Sequence, residues 1–156
     1  MKLVTICFFI KGNKILLAMK KRGFGIGKWN GYGGKVQKDE SIEAAAVREV
    51  REESGLDIPV SALKKVAVLN FTFENNESWD EQAHVFFVEH GEGTEQETEE
   101  MKPRWFDKNQ LPFQEMWIAD QEWLPMLLQG NILLGSVHFS ADGAHIKKSE
   151  YRKTIF

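Results

Sequence analysis

The chain has 156 residues, of which 42% are hydrophobic and 28% are charged, a composition typical of one globular domain. This length predicts a single domain across residues 1–156 with a sizeable core. The formal net charge of −3 argues against a protein that coats nucleic acid. Cys7 is the only cysteine, which argues against a disulfide framework or a cysteine-rich zinc site.

The first predicted elements are two strands, at residues 3–10 and 14–19, joined by a Gly-Asn hairpin turn. The apolar start is too short for a membrane helix, which needs about 20 apolar residues. Because it runs directly into the turn, it does not resemble a signal peptide either. We therefore expect a cytoplasmic protein without a membrane segment.

A glycine-rich loop with large aromatic residues follows at residues 20–34. A helix is predicted from about residue 41 to Gly55, a residue that readily takes the left-handed conformation that ends helices. The second helix is predicted at about 121–129, before Gly130, with Pro125 near its first turn. Residues 91–100 read as an acidic irregular stretch, and the remaining strands are predicted at 66–73, 84–88, 104–106, 132–139 and 145–156. The pattern predicts an α+β fold, a mixed sheet packed with two helices.

The first predicted helix carries acids on the face that should pack against the sheet. At about 100° per residue its apolar side chains form one stripe: Ile42, Ala45, Ala46 and Val50. Glu49 and Glu53 fall in the same sector, and Glu52 borders it. Arg48 can pair with Glu52 one turn later, but one arginine cannot neutralise three acids. Clustered carboxylates are the ligands that Mg²⁺ prefers, whereas spacing alone also allows a charged surface helix of poor phase.

The segment around this helix reads Gly34-x5-Glu40-x7-Arg48-Glu49-Val50-x-Glu52-Glu53-x-Gly55-Leu56. It resembles the complete signature of the Nudix family, and average residue usage makes a chance match at one register rarer than about one in 10⁹. The resemblance implies an α/β/α sandwich with a mixed central sheet. It also implies a pyrophosphohydrolase that depends on Mg²⁺, with Mn²⁺ as a possible substitute.

The resemblance also implies roles for individual residues. The metal would be held by the backbone carbonyl of Gly34 and by the side chains of Glu49, Glu52 and Glu53. Arg48 would orient these glutamates, and Glu40 would support the junction between loop and helix. Glu100, in the segment Glu100-Met101-x-Pro103, is either a fourth metal ligand or catalytic base, or only the end of a solvated acidic run.

Segments outside the signature resemble the MutT-homologue branch of the family, whose members hydrolyse oxidised purine nucleoside triphosphates. These segments are residues 20–25, 28–36, 100–103 and 116–117. The resemblance implies a base pocket formed by Thr5, Phe24, Asn30, Phe71, Trp117 and Asp120, with Lys20 near the phosphates. A flat purine needs an aromatic stacking partner, and its edge needs amide and carboxyl groups.

Each of these pocket residues also has an ordinary structural interpretation. Asn30 can close a turn, Trp117 can belong to the core, Asp120 can cap the second helix and Lys20 can be a charge at a strand end. One departure from the branch is visible, because its tryptophan is followed by two adjacent aspartates and this chain has Ala119-Asp120. The sequence therefore predicts one base-edge acid fewer at this place.

The predicted reaction is cleavage of an oxidised purine nucleoside triphosphate, such as 8-oxo-dGTP, to the monophosphate and pyrophosphate, as in sanitation of the nucleotide pool. An alternative keeps the chemistry but changes the substrate to a dinucleoside polyphosphate, ADP-ribose or an RNA 5′ end. A non-catalytic nucleotide-binding module is a third possibility, which the intact acids disfavour. We expect a monomer acting on a small molecule rather than on a nucleic-acid polymer.

Overall fold

The computed structural model describes residues 1–89 and 93–156. In this part of the chain, one sheet of eight strands forms the centre. The strands are β1 (Lys2–Lys11), β2 (Lys14–Lys20), β3 (Trp29–Asn30), β4 (Leu63–Phe73), β5 (Glu81–Val88), β6 (Met101–Asp107), β7 (Leu133–Phe139) and β8 (Ile146–Lys153).

The sheet is mixed, with the strand order β3-β2-β1-β5-β4-β7-β8 and with β6 paired to β2. The pairs β1–β5 and β4–β7 are parallel, and the other pairs are antiparallel. The parallel pairs bring residues from distant parts of the chain side by side, for example Val4 beside Ala83 and Phe71 beside Val137. The centre of the sheet is thus built from contacts that are remote in sequence.

Two helices pack on opposite faces of the sheet. Helix α1 (Ile42–Ser54) covers a core that includes Cys7, Leu16, Val50 and Phe86. Helix α2 (Asp120–Leu128) covers the other core, which includes Ala83, Val85, Trp123, Leu124 and Leu127. The predicted sandwich with a mixed central sheet is confirmed. Neither helix is long and apolar enough to cross a membrane.

Both ends of α1 are explained by its sequence. The hydroxyl of Ser41 accepts a hydrogen bond of 3.0 Å from the N–H of Ala44, which caps the start. Gly55 has a φ of 78° and its N–H donates to the carbonyl of Arg51 at 2.9 Å, which ends the helix. Of the predicted apolar stripe, Ala45, Ala46 and Val50 are fully shielded from solvent, whereas Ile42 is only partly buried.

Several predicted boundaries are wrong. β4, β5 and β6 begin at Leu63, Glu81 and Met101, three residues before the predicted starts. The glycine-rich segment is not wholly a loop, because Asn30 in β3 pairs with Ala18 in β2. The reason is that backbone pairing with a neighbouring strand continues through polar residues that interrupt the apolar pattern, such as Lys64 in β4 and Lys102 in β6.

Pro125 is the sixth residue of α2, so it lies beyond the first turn and not within it as the sequence predicts. A proline there removes the N–H that would bond to the carbonyl of Gln121. The burial of Trp123 and Leu124 against the sheet holds the helix in place despite this loss. At the end of the chain, β8 spans Ile146–Lys153 rather than residues 145–156, and part of the predicted acidic stretch, residues 91 and 92, lies outside the described residues.

Candidate active site

One cavity of about 230 Å³ opens between the sheet, the glycine-rich segment and the start of α2. Its apolar lining comes from the glycine-rich segment, β1, β4, β6, β7 and the region of α2, and consists of Val4, Ile6, Phe8, Phe24, Phe71, Phe73, Met101, Trp117, Ala119, Trp123 and Phe139. Its polar side chains are Thr5, Lys20, Asn30, Glu53, Glu81 and Asp120. An apolar slot with a few polar groups is the usual form of a small-molecule site.

The cavity brings together nine of the residues that the sequence singled out. These are Thr5, Lys20, Phe24, Asn30, Gly34, Glu53, Phe71, Trp117 and Asp120. Four others, namely Arg48, Glu49, Glu52 and Glu100, do not line the cavity itself. Glu49 lies one turn before Glu53 on the same face of α1, and Glu52 borders that face and is exposed.

Glu53 points from the last turn of α1 into the cavity. The N–H of Gly33 donates to its carboxylate at 2.8 Å. Burial raises the pKa of Glu53 to about 8, and the nearby charges of Glu49 and Glu100 add to the effect, whereas the Gly33 N–H and the Lys20 charge oppose it. The site is therefore short of positive charge, and a cation bound beside Glu53 would restore its ionised form.

Arg48 organises the acids on the outer side of this site. Its guanidinium forms salt bridges of 2.7 Å to Glu40, 2.9 Å to Glu49 and 3.3 Å to Glu52. The pair between Arg48 and Glu52 one turn apart was predicted and is confirmed. Hydrogen bonds from Arg48 hold the pKa of Glu40 down at about 2, so this acid is ionised and links the loop to the helix.

The glycines before α1 let the loop approach its neighbours closely. A Cβ atom on Gly34 would lie 2.5 Å from the carboxyl group of Glu49, and one on Gly33 would lie 1.7 Å from the carbonyl oxygen of Thr5. The carbonyl of Gly34 accepts a hydrogen bond of 2.9 Å from the N–H of Thr5. These contacts position the loop between β1 and α1, where only glycine fits.

Within residues 1–89 and 93–156, no three His, Cys, Asp or Glu side chains converge as ligands of one metal ion. The ion pairs explain this arrangement, because Arg48 attracts Glu49 and Glu52, and Arg22 binds Glu100 at 2.6 Å. Glu100 is also half-exposed, and Arg22 lowers its pKa. The metal-binding and catalytic roles of these acids stay predictions.

Asp120 also lines the cavity and is only 7% exposed. Burial raises its pKa to about 8, and the charge of Lys28 opposes this shift only partly. The cap position of α2 is occupied by Ala119, so Asp120 is not the capping residue. Asn30 donates to the carbonyl of Lys28 at 3.2 Å, so it closes its loop and lines the cavity at the same time.

Three aromatic rings cluster beside the cavity, and two of them line it. The ring of Phe24 lies 5.2 Å from that of Trp117 and 4.8 Å from that of Trp79, although Phe24 is 56% exposed. The ammonium group of Lys28 lies 5.1 Å from the centre of the Trp117 ring. This arrangement leaves flat apolar surfaces at the entrance, which suit the stacking of a planar base.

Sequence reasoning missed several lining residues, among them Phe73, Glu81, Trp123 and Phe139. Period-two alternation in the strands was the signal that identifies most of them. Phe73 follows Phe71 by two residues, and Glu81 precedes Ala83 by two, so each pair shares one face of the sheet. Glu81 was overlooked because the predicted strand began at His84.

Comparison with known proteins agrees with this geometry. The NUDIX domain matches residues 1–127 of the chain. The chain is 44% identical to the oxidized purine nucleoside triphosphate hydrolase of Mus musculus over 138 residues, covering 88% of the chain and 86% of the relative. It is 46% identical to the protein of the same name from Danio rerio over 139 residues, with the same coverage.

A solved structure supports the fold independently. The MutT protein from Bacillus halodurans superposes with a TM-score of 0.80, at 22% identity, over 97% of each chain. The acidic helix with its flanking glycines, the sandwich and the domain match all lead to the same assignment. The chain belongs to the Nudix hydrolase family.

Proposed function

We propose that this protein hydrolyses oxidised purine nucleoside triphosphates, such as 8-oxo-dGTP, to the nucleoside monophosphate and pyrophosphate. The observation that carries the proposal is one cavity lined by two groups of residues with different chemistry. Asn30, Trp117 and Asp120 supply an amide, an aromatic ring and a carboxyl group, and each of them interacts with Lys28. Lys20, Gly34 and Glu53 supply a cation, a backbone carbonyl and an acid, and the charge of Lys20 acts on Glu53.

The volume of the cavity is consistent with binding of the base inside it and of the phosphates beside it. Its volume of about 230 Å³ suits one flat ring system rather than a whole triphosphate. A base held between Phe24, Trp117 and the sheet would leave the phosphates beside Lys20 and the end of α1. The names of the mouse and zebrafish relatives favour an oxidised purine as this base.

The acids of α1 fit a divalent metal ion by their chemistry. Mg²⁺ prefers carboxylate and carbonyl oxygens, and the buried carboxyl of Glu53 has no arginine or lysine in direct contact among the described residues. Glu49, Glu52, Glu53 and the carbonyl of Gly34 are the groups we propose as ligands, with Glu100 as a candidate fourth acid. Such an ion would neutralise the diphosphate and stabilise charge that develops during cleavage.

The residues of the chain then have distinct tasks. Arg48 keeps Glu49 and Glu52 in place through its salt bridges. The N–H of Gly33 orients Glu53, and Lys20 attracts the phosphates. The aromatic walls exclude water from the base, which strengthens the hydrogen bonds made at its edge.

The test is a panel of triphosphates, namely 8-oxo-dGTP, 2-hydroxy-dATP, dGTP and ATP, assayed with Mg²⁺ for release of pyrophosphate. We expect preference for 8-oxo-dGTP. Glu53→Gln should lower kcat by at least about 100-fold, because removal of one group that stabilises transition-state charge has effects of this size. Glu43→Gln, on the same helix but away from the cavity, should retain activity.

Two other outcomes would redirect the assignment. Release of phosphate or of two monophosphates from dinucleoside polyphosphates, ADP-ribose or capped RNA would favour another diphosphate-linked substrate. Binding of nucleotides without turnover would indicate a binding module. We further propose that residues 1–156 act as one domain, as a monomer in the cytoplasm, where nucleotide pools are accessible.

A further inference from the structure

Glu81 is an acid in an apolar wall that the proposed reaction does not use. It is the first residue of β5, paired with Lys2 of β1 and with Phe71 of β4. Side chains two residues apart in a strand share a face. Ala83 and Val85 are fully buried in the core under α2, so Glu81 extends that core face to the cavity, which it lines.

The carboxyl group of Glu81 lacks a strong partner within the described residues. Glu81 is half-buried, and burial raises its pKa, with only the charge of Lys2 acting in the opposite direction. No hydrogen-bond donor contributes to the shift. A partly desolvated acid without a donor is unfavourable for folding alone, so a group that donates to it on binding would explain its presence.

Besides Glu81, the proposed base-binding residues offer as acceptors the carboxyl group of Asp120 and the amide oxygen of Asn30, whose amide nitrogen is engaged with the carbonyl of Lys28. Ala119 contributes only a buried methyl group to the lining. Asp120 lies on α2, whereas Glu81 lies on the sheet. Glu81 thus offers carboxyl oxygens from the sheet, whereas Asp120 offers them from α2.

A guanine ring presents two adjacent N–H donors on its pairing edge, from N1 and the exocyclic amine. An adenine ring presents an acceptor nitrogen at N1, and its C2 carries only a hydrogen atom where guanine carries an amine. The two oxygens of a carboxyl group can each accept one of the two guanine N–H groups. Placed against adenine, one of these oxygens would face the lone pair of N1 instead of a donor. A site with an unsatisfied acceptor discriminates strongly against a ligand that cannot donate to it.

We propose that Glu81 is a base-recognition residue whose carboxyl group accepts hydrogen bonds from the pairing edge of a guanine-type base and so favours it over an adenine-type base. This inference rests on the proposed function, because it assumes that the cavity holds a purine. It makes Glu81 a determinant of substrate choice rather than a catalytic residue.

The experiment compares 8-oxo-dGMP with 8-oxo-dAMP, which share the oxidised C8 position and differ at the pairing edge. Calorimetric binding is measured for the intact protein and for Glu81→Ala and Glu81→Gln. We expect both variants to bind 8-oxo-dGMP about 10- to 100-fold more weakly, the size of a hydrogen bond to a charged group, with little change for 8-oxo-dAMP. Glu77→Gln, an exposed acid four residues earlier, is the matched control.

Kinetics with the two triphosphates separate this inference from the proposed function. Glu81→Ala should raise the KM for 8-oxo-dGTP while kcat is retained, and its melting temperature should not fall, because no internal hydrogen bond is lost. Equal weakening for both bases, unchanged binding of 8-oxo-dGMP, or no binding of either monophosphate by the intact protein would overturn the role of Glu81. Glu81-dependent binding without triphosphate turnover would instead refute the proposed reaction and leave the recognition role standing.

Discussion

Replacement of Asp120 by asparagine tests whether its buried carboxyl group is protonated near neutral pH. The pKa of Asp120 is raised to about 8 because the group is buried, whereas an aspartate in an unfolded chain titrates near 3.9. Between these values the folded protein holds a proton that the unfolded chain releases. Stability contributed by the neutral acid is therefore fully present below about pH 4 and is lost as the pH rises through about 8.

The size of the effect follows from the difference between the folded and unfolded pKa values. Binding of one more proton by the folded protein makes the unfolding free energy fall by about 1.4 kcal/mol for each pH unit inside the window. Asparagine has nearly the same shape and does not ionise. We expect Asp120→Asn to be slightly more stable than wild type at about pH 5 and more stable by several kcal/mol at about pH 8, with an upper limit of about 4 kcal/mol gained between these two pH values.

The assay is urea unfolding at half-unit steps from about pH 5 to pH 8, followed by tryptophan fluorescence. The difference in unfolding free energy between Asp120→Asn and wild type should grow with pH. Asp57→Asn, at an exposed position, should give a difference that hardly changes. Parallel pH curves for wild type and Asp120→Asn would refute the claim that Asp120 is buried in its neutral form.

Two further substitutions test the loop and the stacking surface. Gly33→Ala would place Cβ 1.7 Å from the carbonyl oxygen of Thr5, and we expect a loss of about 3 kcal/mol or more in urea unfolding. Gly27→Ala, where the added Cβ meets open space, should cost only about 1–2 kcal/mol for its positive φ, and equal losses would contradict the steric argument. Trp117→Ala should raise the KM for 8-oxo-dGTP about 5- to 100-fold through loss of base stacking, and an unchanged KM would place the base elsewhere.

The helix ends and the hairpin could be predicted from the sequence because they depend on residues close together in the chain. Ser41 marks the start of α1 and Gly55 marks its end, because a hydroxyl cap and a left-handed glycine each act within one helical turn. The hairpin of β1 and β2 was equally local, since its Gly-Asn turn sets the register between Lys11 and Lys14. In contrast, β3 and the first residues of β5 depend on a partner strand elsewhere in the chain, so apolar patterning alone did not reveal them.

The amino-acid sequence by itself determined the family and the residue types of the site, because the acids of α1, Arg48 and the preceding glycines occur at spacings that one helix and one loop impose. Only the tertiary structure decided which side chains share the cavity. Parallel pairing of β1 with β5 and of β4 with β7 carries Glu81 and Phe139 to the same wall. The physical reason is that strand register between distant segments depends on the packing of the whole sheet between two helices, and no short stretch of sequence encodes it.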